Sequence, residues 1–308
     1  MGRRRKGRKI NGWVILDKPV GISSAHAVAR VRRTLDAAKA GHAGTLDPLA
    51  SGVLPVALGE ATKTITYLVD ASKTYRFTVR WGIATATDDA EGAVVARSDG
   101  RPDGPAIRAA LPAFTGEISQ TPPAFSAIKI DGKRAYAIAR ADGDPKLQPR
   151  KVRIDRLELK EVVDEDHAIF LVTCGKGTYM RALARDLARA LGTVGHVAEL
   201  RRTAVGPFNE EMAISLEEFA SLGHSEAALG HLLAVETVLD DIPALAVTES
   251  EASRLRAGQP VPVIRSANQE RIRDLADGAV LCALSNGKLV AYTRLEGRQV
   301  HPVRVLNH

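Results

Sequence analysis

Gly44-Thr45-Leu46-Asp47-Pro48-Leu49-Ala50-Ser51-Gly52-Val53-Leu54-Pro55 is the stretch around which the chain is organised. It sets one carboxylate, Asp47, between two glycines and ahead of a proline, which biases the preceding residue towards extended backbone. The acid is therefore expected on a fixed, non-helical loop, a support suited to a reactive group. By its dipeptide alone, Asp-Pro is also an ordinary helix start, with Asp as N-cap and Pro at the first helical position. No other acidic residue lies between Asp36 and Glu60, so nothing nearby in sequence shares a metal ion or a proton with Asp47. It reads as a lone nucleophile.

On the N-terminal side, Gly12-Trp13-Val14-Ile15-Leu16 reads as a short buried strand that ends at Asp17-Lys18-Pro19. A helix follows, with Ser23 and Ser24 as candidate N-caps, Val28, Val31 and Leu35 at helical spacing, and Gly41 as its expected stop. On the C-terminal side, Tyr75-Arg76-Phe77-Thr78-Val79-Arg80-Trp81 alternates with period two, which puts Tyr75, Phe77, Val79 and Trp81 on one face of a strand. By spacing alone Tyr75 is a core tyrosine. Residues 85–92 form an acidic turn without the ligand spacing of a calcium loop, so no metal is expected there. Residues 168–174 read as a strand, and Met180, Leu183, Leu187 and Leu191 as an amphipathic helix that Gly192 ends, with Arg181, Arg185 and Arg189 along one side. Gly175-Lys176-Gly177-Thr178 lacks the first glycine of a phosphate loop, which argues against nucleotide binding. Ser215-Leu216-Glu217-Glu218 has the form of a capping box and opens an acidic helical region expected to run to about Asp241. Pro243 then marks a boundary, and Asn286-Gly287 between two apolar runs is a hairpin turn in a small, mostly β appendage.

Composition narrows the class. The 308 residues, 45% hydrophobic and 26% charged, are enough for a sizeable core, and no apolar run is long enough to cross a bilayer. The basic N-terminus, residues 1–10, has no apolar segment after it, so it is not a secretory signal and a cytosolic protein is expected. Cys174 and Cys282 lie far apart without a Cys/His cluster, against both structural zinc and a disulfide framework. The net charge of +7 is uneven: six of the 43 basic residues fall in the first nine positions. Residues 203–253 contain no Lys or Arg and ten acids, whereas residues 129–160 hold ten bases against five acids. A polyanion is expected to touch the tail and the basic segment, and the acidic one to face away. From 120 to 156 the chain is rich in Pro, Gly, Lys and Arg with Phe125 and Tyr136 interleaved, which reads as an irregular basic insertion.

Six motifs occur in order: Asp17-Lys18-Pro19-x-Gly21-x-Ser23-Ser24, Gly41-His42-x-Gly44-Thr45-Leu46-Asp47-Pro48, Lys73-x-Tyr75, Gln120-x-Pro122-Pro123-x-x-Ser126-Ala127-x-Lys129, Gly177-Thr178-Tyr179-x-Arg181 and Leu200-Arg201-Arg202-Thr203-x-Val205-Gly206. Over nearly its whole length the chain resembles the TruB family of tRNA pseudouridine synthases, which form pseudouridine 55 in the T arm of tRNA. The resemblance implies an α+β fold: a catalytic domain on a mixed, largely antiparallel sheet over residues 11–241, with the RNA-binding insertion at about 120–156. Residues 242–308 would then be a small, mostly β domain similar to the PUA module, and residues 1–10 a basic tail. It further implies Asp47 as the catalytic aspartate, Tyr75 as the tyrosine that stacks on uracil, Arg181 as the partner of the aspartate, Leu200 as a wall of the uracil pocket and His42 as the residue that fills the space left by the flipped base. Lys18 and Lys129 occupy motif positions near the site or the RNA, and Asp89 is a further candidate RNA contact. No protein partner is implied, and a monomer is expected.

The chemistry fits such residues. Turning uridine into pseudouridine cleaves C1′–N1 and rebuilds the bond at C5 without redox change or loss of atoms, so neither a metal nor an organic cofactor is expected. One carboxylate serves as nucleophile or as stabiliser of sugar cation character. An aromatic ring holds the detached base, with stacking worth about 1 to 3 kcal/mol. The base must first leave its stack in the folded RNA. Two other classes are weaker. A non-catalytic RNA-binding or tRNA-folding protein accounts for the basic insertion but has no need of Asp47, Tyr75 and Arg181 together, and a glycoside hydrolase needs a second acid that Asp47 lacks.

Overall fold

The computed structural model describes residues 7–126, 128–130, 132–141, 143, 145–239, 242–263 and 266–306. Most of the basic N-terminal tail therefore lies outside the described residues. In chain order the main elements are β1 (Gly12–Lys18), α1 (Ser24–Thr34), β2 (Ser51–Leu58), β3 (Lys73–Trp81), β4 (Gly116–Gln120), β5 (Arg150–Val162), β6 (His167–Cys174), α2 (Met180–Ala190), β7 (Gly195–Val205) and β8 (Ile214–Ser215). The strands form one sheet in the order β8-β1-β2-β7-β3-β6-β5-β4, extended to ten by two short strands, Ala40–His42 on β2 and Phe208–Asn209 on β7. Only β1 with β8 and β2 with β7 run parallel; the other pairings are antiparallel. The expected α+β architecture with a mixed, largely antiparallel sheet is what the chain adopts.

The sequence pattern explains which strands sit at the centre. In β1, Val14 and Leu16 face one hydrophobic core while Trp13 and Ile15 face another, so a strand buried on both sides reads as an unbroken apolar run. Residues 51–58 behave alike: Leu54, Val56 and Leu58 enter the first core, Val53 and Ala57 the second. The stretch expected as a loop to Pro55 is thus a loop only as far as Ala50, and its second half is a central strand. Gly52, at φ 99°, allows this pairing, since a Cβ there would lie 2.2 Å from the Arg202 carbonyl oxygen. In β3 the period-two reading holds, with Phe77, Val79 and Trp81 buried and Tyr75 partly buried against the same core.

Two helix boundaries differ from expectation. Helix α1 ends at Thr34, not Gly41: Asp36 takes a left-handed conformation (φ 49°), its N–H donates to the Arg33 carbonyl and that of Ala37 to the Arg32 carbonyl, a Schellman cap without glycine. The acidic region after Ser215 is not one helix but short turns at Leu216–Ser221, Glu226–Gly230 and Val235–Leu239. Ser215 caps the first by accepting from Glu218 N–H, Gly223 at φ 58° follows its end, and Ser225 caps the second.

The basic insertion is narrower than 120–156. Gln120 and Arg150 are register partners in β4 and β5, so only the segment between them leaves the sheet, and residues 150–162 are a strand of it. The segment carries a small hairpin, Lys129–Ile130 with Lys133–Arg134, and a turn of helix at Ala135–Ala139. Beyond residue 242 lies a second sheet of β9 (Ala244–Ala246), β10 (Val261–Pro262), β11 (Val280–Ser285), β12 (Lys288–Glu296) and β13 (Gln299–Val305), in the order β9-β11-β12-β13-β10. Asn286 (φ 51°) and Gly287 (φ 75°) make the turn between β11 and β12. This sheet shares a hydrophobic cluster with the large one, which contains Tyr292, Cys282 and Leu306 together with Trp13 and Phe208, and the Tyr67 and Tyr292 rings stack with centroids 4.0 Å apart.

Candidate active site

Asp47 sits where the chain turns into β2, and several polar backbone groups around it are bonded. The Ser24 hydroxyl donates to the Leu46 carbonyl (2.9 Å) and accepts from the Leu46 N–H (2.8 Å). Gly21 N–H donates to the Pro48 carbonyl (2.8 Å) and Ala50 N–H to that of Asp47 (3.0 Å). Arg202 donates from Nη2 to the Gly44 carbonyl (3.0 Å) and from Nε to the Val53 carbonyl (2.8 Å). Asp47 is therefore not a helix N-cap; it heads a tight turn anchored by Gly21, Ser24 and Arg202.

Its carboxylate, 40% exposed, is met by Arg181, whose side chain is 6% exposed, with Nη2 2.8 Å from Oδ2. Arg181 projects from the first turn of α2, and both of its terminal nitrogens are engaged: Nη2 also donates to the Phe125 carbonyl (3.0 Å), and Nη1 donates to the Thr87 carbonyl (3.0 Å) and lies 3.4 Å from Asp89 Oδ2. One guanidinium thus ties the Asp47 turn, the acidic turn and the basic insertion to one helix, a geometry only Arg supplies. Gln120 fixes the start of the same helix, its side-chain amide donating to the Tyr179 carbonyl and accepting from the Tyr179 N–H. One turn on, Arg185 Nη1 lies 2.9 Å from Asp88 Oδ2. Burial pushes the Asp88 carboxyl up, and Arg185 opposes the shift.

These groups border a cavity of about 290 Å³ lined by Asp47, Tyr75, Arg181, Leu200, Tyr179, Lys73 and Arg202, among others. That volume is of the size that encloses a small planar ligand. Burial pushes the Tyr75 and Tyr179 phenols up, with Arg202 opposing the shift at Tyr75. Lys73 donates to the Leu68, Val69 and Ala71 carbonyls at the end of the helix Ile65–Asp70, and burial lowers it to about 8. Among the described residues, no cluster of three or more His, Cys, Asp and Glu side chains is placed to hold a metal ion.

Of the residues singled out by sequence, the fold brings Asp47, Tyr75, Arg181 and Leu200 to this one cavity. The others lie elsewhere. Lys18, expected near RNA, is wholly buried beneath the turn, where its ammonium donates to the Pro19, Ile22 and Pro48 carbonyls and burial lowers it to about 8. Asp89, also expected to contact RNA, is 3% exposed: the Thr87 hydroxyl and Glu91 N–H donate to Oδ1, and Oδ2 faces Arg181. Both are corrections with one cause: a charge that the sequence presents as solvated is needed inside to satisfy buried partners. His42 is in the short strand opposite Val56 and does not line the cavity; burial and the nearby Arg202 lower its pKa. Lys129 is exposed on the hairpin of the insertion. Sequence reasoning assigned no role to Arg202, although it shares the inward parity of Leu200 on β7, and an arginine on a core-facing position was the available signal.

A family model described as "TruB family pseudouridylate synthase (N terminal domain)" matches residues 32–180, and one described as "tRNA pseudouridylate synthase B C-terminal domain" matches residues 181–240. The tRNA pseudouridine synthase B of Rhodospirillum rubrum is 53% identical over 307 residues, 100% of either chain, and that of Caulobacter vibrioides 51% identical over 306 residues, 99% of either chain. Among solved structures, a Cbf5-Nop10-Gar1 complex contains a chain that superposes with a TM-score of 0.73 at 28% identity, covering 96% of this chain and 84% of that one.

Proposed function

Because the chain belongs to the TruB family of pseudouridylate synthases, we propose that it isomerises uridine 55 in the T arm of tRNA to pseudouridine, with Asp47 as its one catalytic carboxylate. The observation that carries the reading is the placement of Asp47: half-exposed at the rim of a base-sized cavity and paired at 2.8 Å with a buried arginine. The pairing fixes the direction of the carboxylate before substrate arrives.

The reaction then needs little else. The target uridine leaves its stack and enters the cavity. C1′–N1 breaks, its electron pair going to the base, while Asp47 bonds to or shields C1′. The base turns between Tyr75 and Leu200, C5 bonds to C1′ and Asp47 is released. The C5 proton is lost and N1 gains one, so atoms balance without a cofactor. Tyr75 supplies the stacking face. His42, neutral and beside Arg202, supports the flipped conformation from behind the turn. The segment between Gln120 and Arg150, with exposed Lys129, contacts the RNA backbone, and the residues beyond 242 form a PUA-like RNA-binding domain. A cytoplasmic monomer is the working form of the protein; no helix among the described residues is long and apolar enough to cross a membrane.

Mapping pseudouridine in total tRNA from cells with and without the protein tests the reading. Loss of pseudouridine at position 55 alone is expected; an unchanged level at that position contradicts it.

A further inference from the structure

Arg181 and Arg202 both border the cavity, but their charges are differently disposed. Arg181 faces two carboxylates, Asp47 and Asp89, so its positive charge is offset twice. Arg202 is 1% exposed and has no carboxylate within ion-pairing distance among the described residues; it donates to the carbonyls of Gly44 and Val53 and also meets the Tyr75 hydroxyl. Burying an uncompensated guanidinium is unfavourable for folding, and replacement by an apolar side chain of similar size would relieve that. The loop could be closed by neutral donors, so carbonyl binding alone does not account for a full positive charge here.

Resting on the functional reading above, we propose that Arg202 is an electrostatic positioning residue: it holds the Asp47 turn through Gly44, and its unpaired charge stabilises the negative charge that uracil takes up when C1′–N1 breaks. The electron pair of that bond passes to N1 and spreads over the two carbonyl oxygens of the base. Arg202 lies in the wall beside Tyr75, against which the base rests, and its field needs no reorganisation as the anion forms. It transfers no proton. A cation that is also offset by carboxylates, such as Arg181, does this less well. Burial raises the Tyr75 phenol and Arg202 opposes that shift, so the same field reaches the ring that holds the base.

The test uses Arg202→Lys, which keeps the charge, and Arg202→Gln, which keeps donors but removes it. Single-turnover conversion and binding of a T-arm hairpin are measured beside the melting temperature. Arg202→Gln is expected to slow conversion at least 100-fold with the RNA Kd within about threefold, and Arg202→Lys to recover at least tenfold of that loss. Equal rates for the two variants, or a change in Kd without a change in conversion, overturns the proposal. If Arg202→Gln does not fold, Arg202→Lys decides alone: a folded, RNA-binding lysine variant below 1% of the native rate contradicts a role for charge. Asp47→Asn serves as the control, since a fully active Asp47→Asn protein removes the reading of the site whatever Arg202 does.

Discussion

At the residue scale the site depends on one arginine shared by two carboxylates. Asp89 is almost wholly enclosed, so removing Arg181 leaves a buried carboxylate without its cation. Breaking such a pair from one side costs about 3–5 kcal/mol. Arg181→Met is therefore expected to lower unfolding free energy by about 3 kcal/mol, and adding Asp89→Leu to restore at least about 1 kcal/mol of it while conversion stays lost. Denaturant unfolding of the two single variants and the double variant measures this coupling; strictly additive changes would show that the two groups do not interact. Asp47 and Arg181 could be singled out from the sequence through motifs on separate segments. The function of Asp89 could not: three acids in a turn look solvated until the fold returns Arg181 and Arg185 from nearly a hundred residues away.

At the scale of elements, the active loop is a turn stapled to its neighbours, and Lys18 at the end of β1 is one staple. Burial lowers its ammonium from 10.5 to about 8, and Lys73 likewise. Between these values the unfolded chain binds more protons than the folded one, so the two lysines contribute stability that is complete above about pH 10.5 and is lost as pH falls through 8. Unfolding free energy is expected to rise from pH 8 to 10 through this contribution, and to rise less in Lys18→Met. An identical pH slope in native protein and variant, measured by urea unfolding, would remove Lys18 from the account. The strands β1 and β6 were legible as apolar runs, and β3 and the helix α2 because their periodicity is undisturbed. The end of α1 was not, because its left-handed cap residue is Asp36 instead of glycine. The broken acidic region had its signals in Gly223, Ser225 and Gly230, but capping at Ser215 was read as the start of something longer.

At the scale of the molecule, the two sheets are not independent. The second sheet closes a hydrophobic cluster against β1 and the Ile65–Asp70 helix, and the Lys63 ammonium donates to the Val305 carbonyl. The appendage read from the Asn-Gly hairpin is thus partly a structural cover for the catalytic sheet, which composition gave no way to foresee. Cutting the chain near residue 242 would uncover Tyr67, which stacks on Tyr292, so loss of activity on truncation reports stability as well as RNA contact. Point substitution at the site separates the two. The central claim, that a single carboxylate performs the isomerisation, is tested most directly by the conversion rate and Kd of Asp47→Asn on a T-arm hairpin at saturating protein. Loss of pseudouridine formation with Kd within about threefold of native is the expected result, and conversion at the native rate would contradict it.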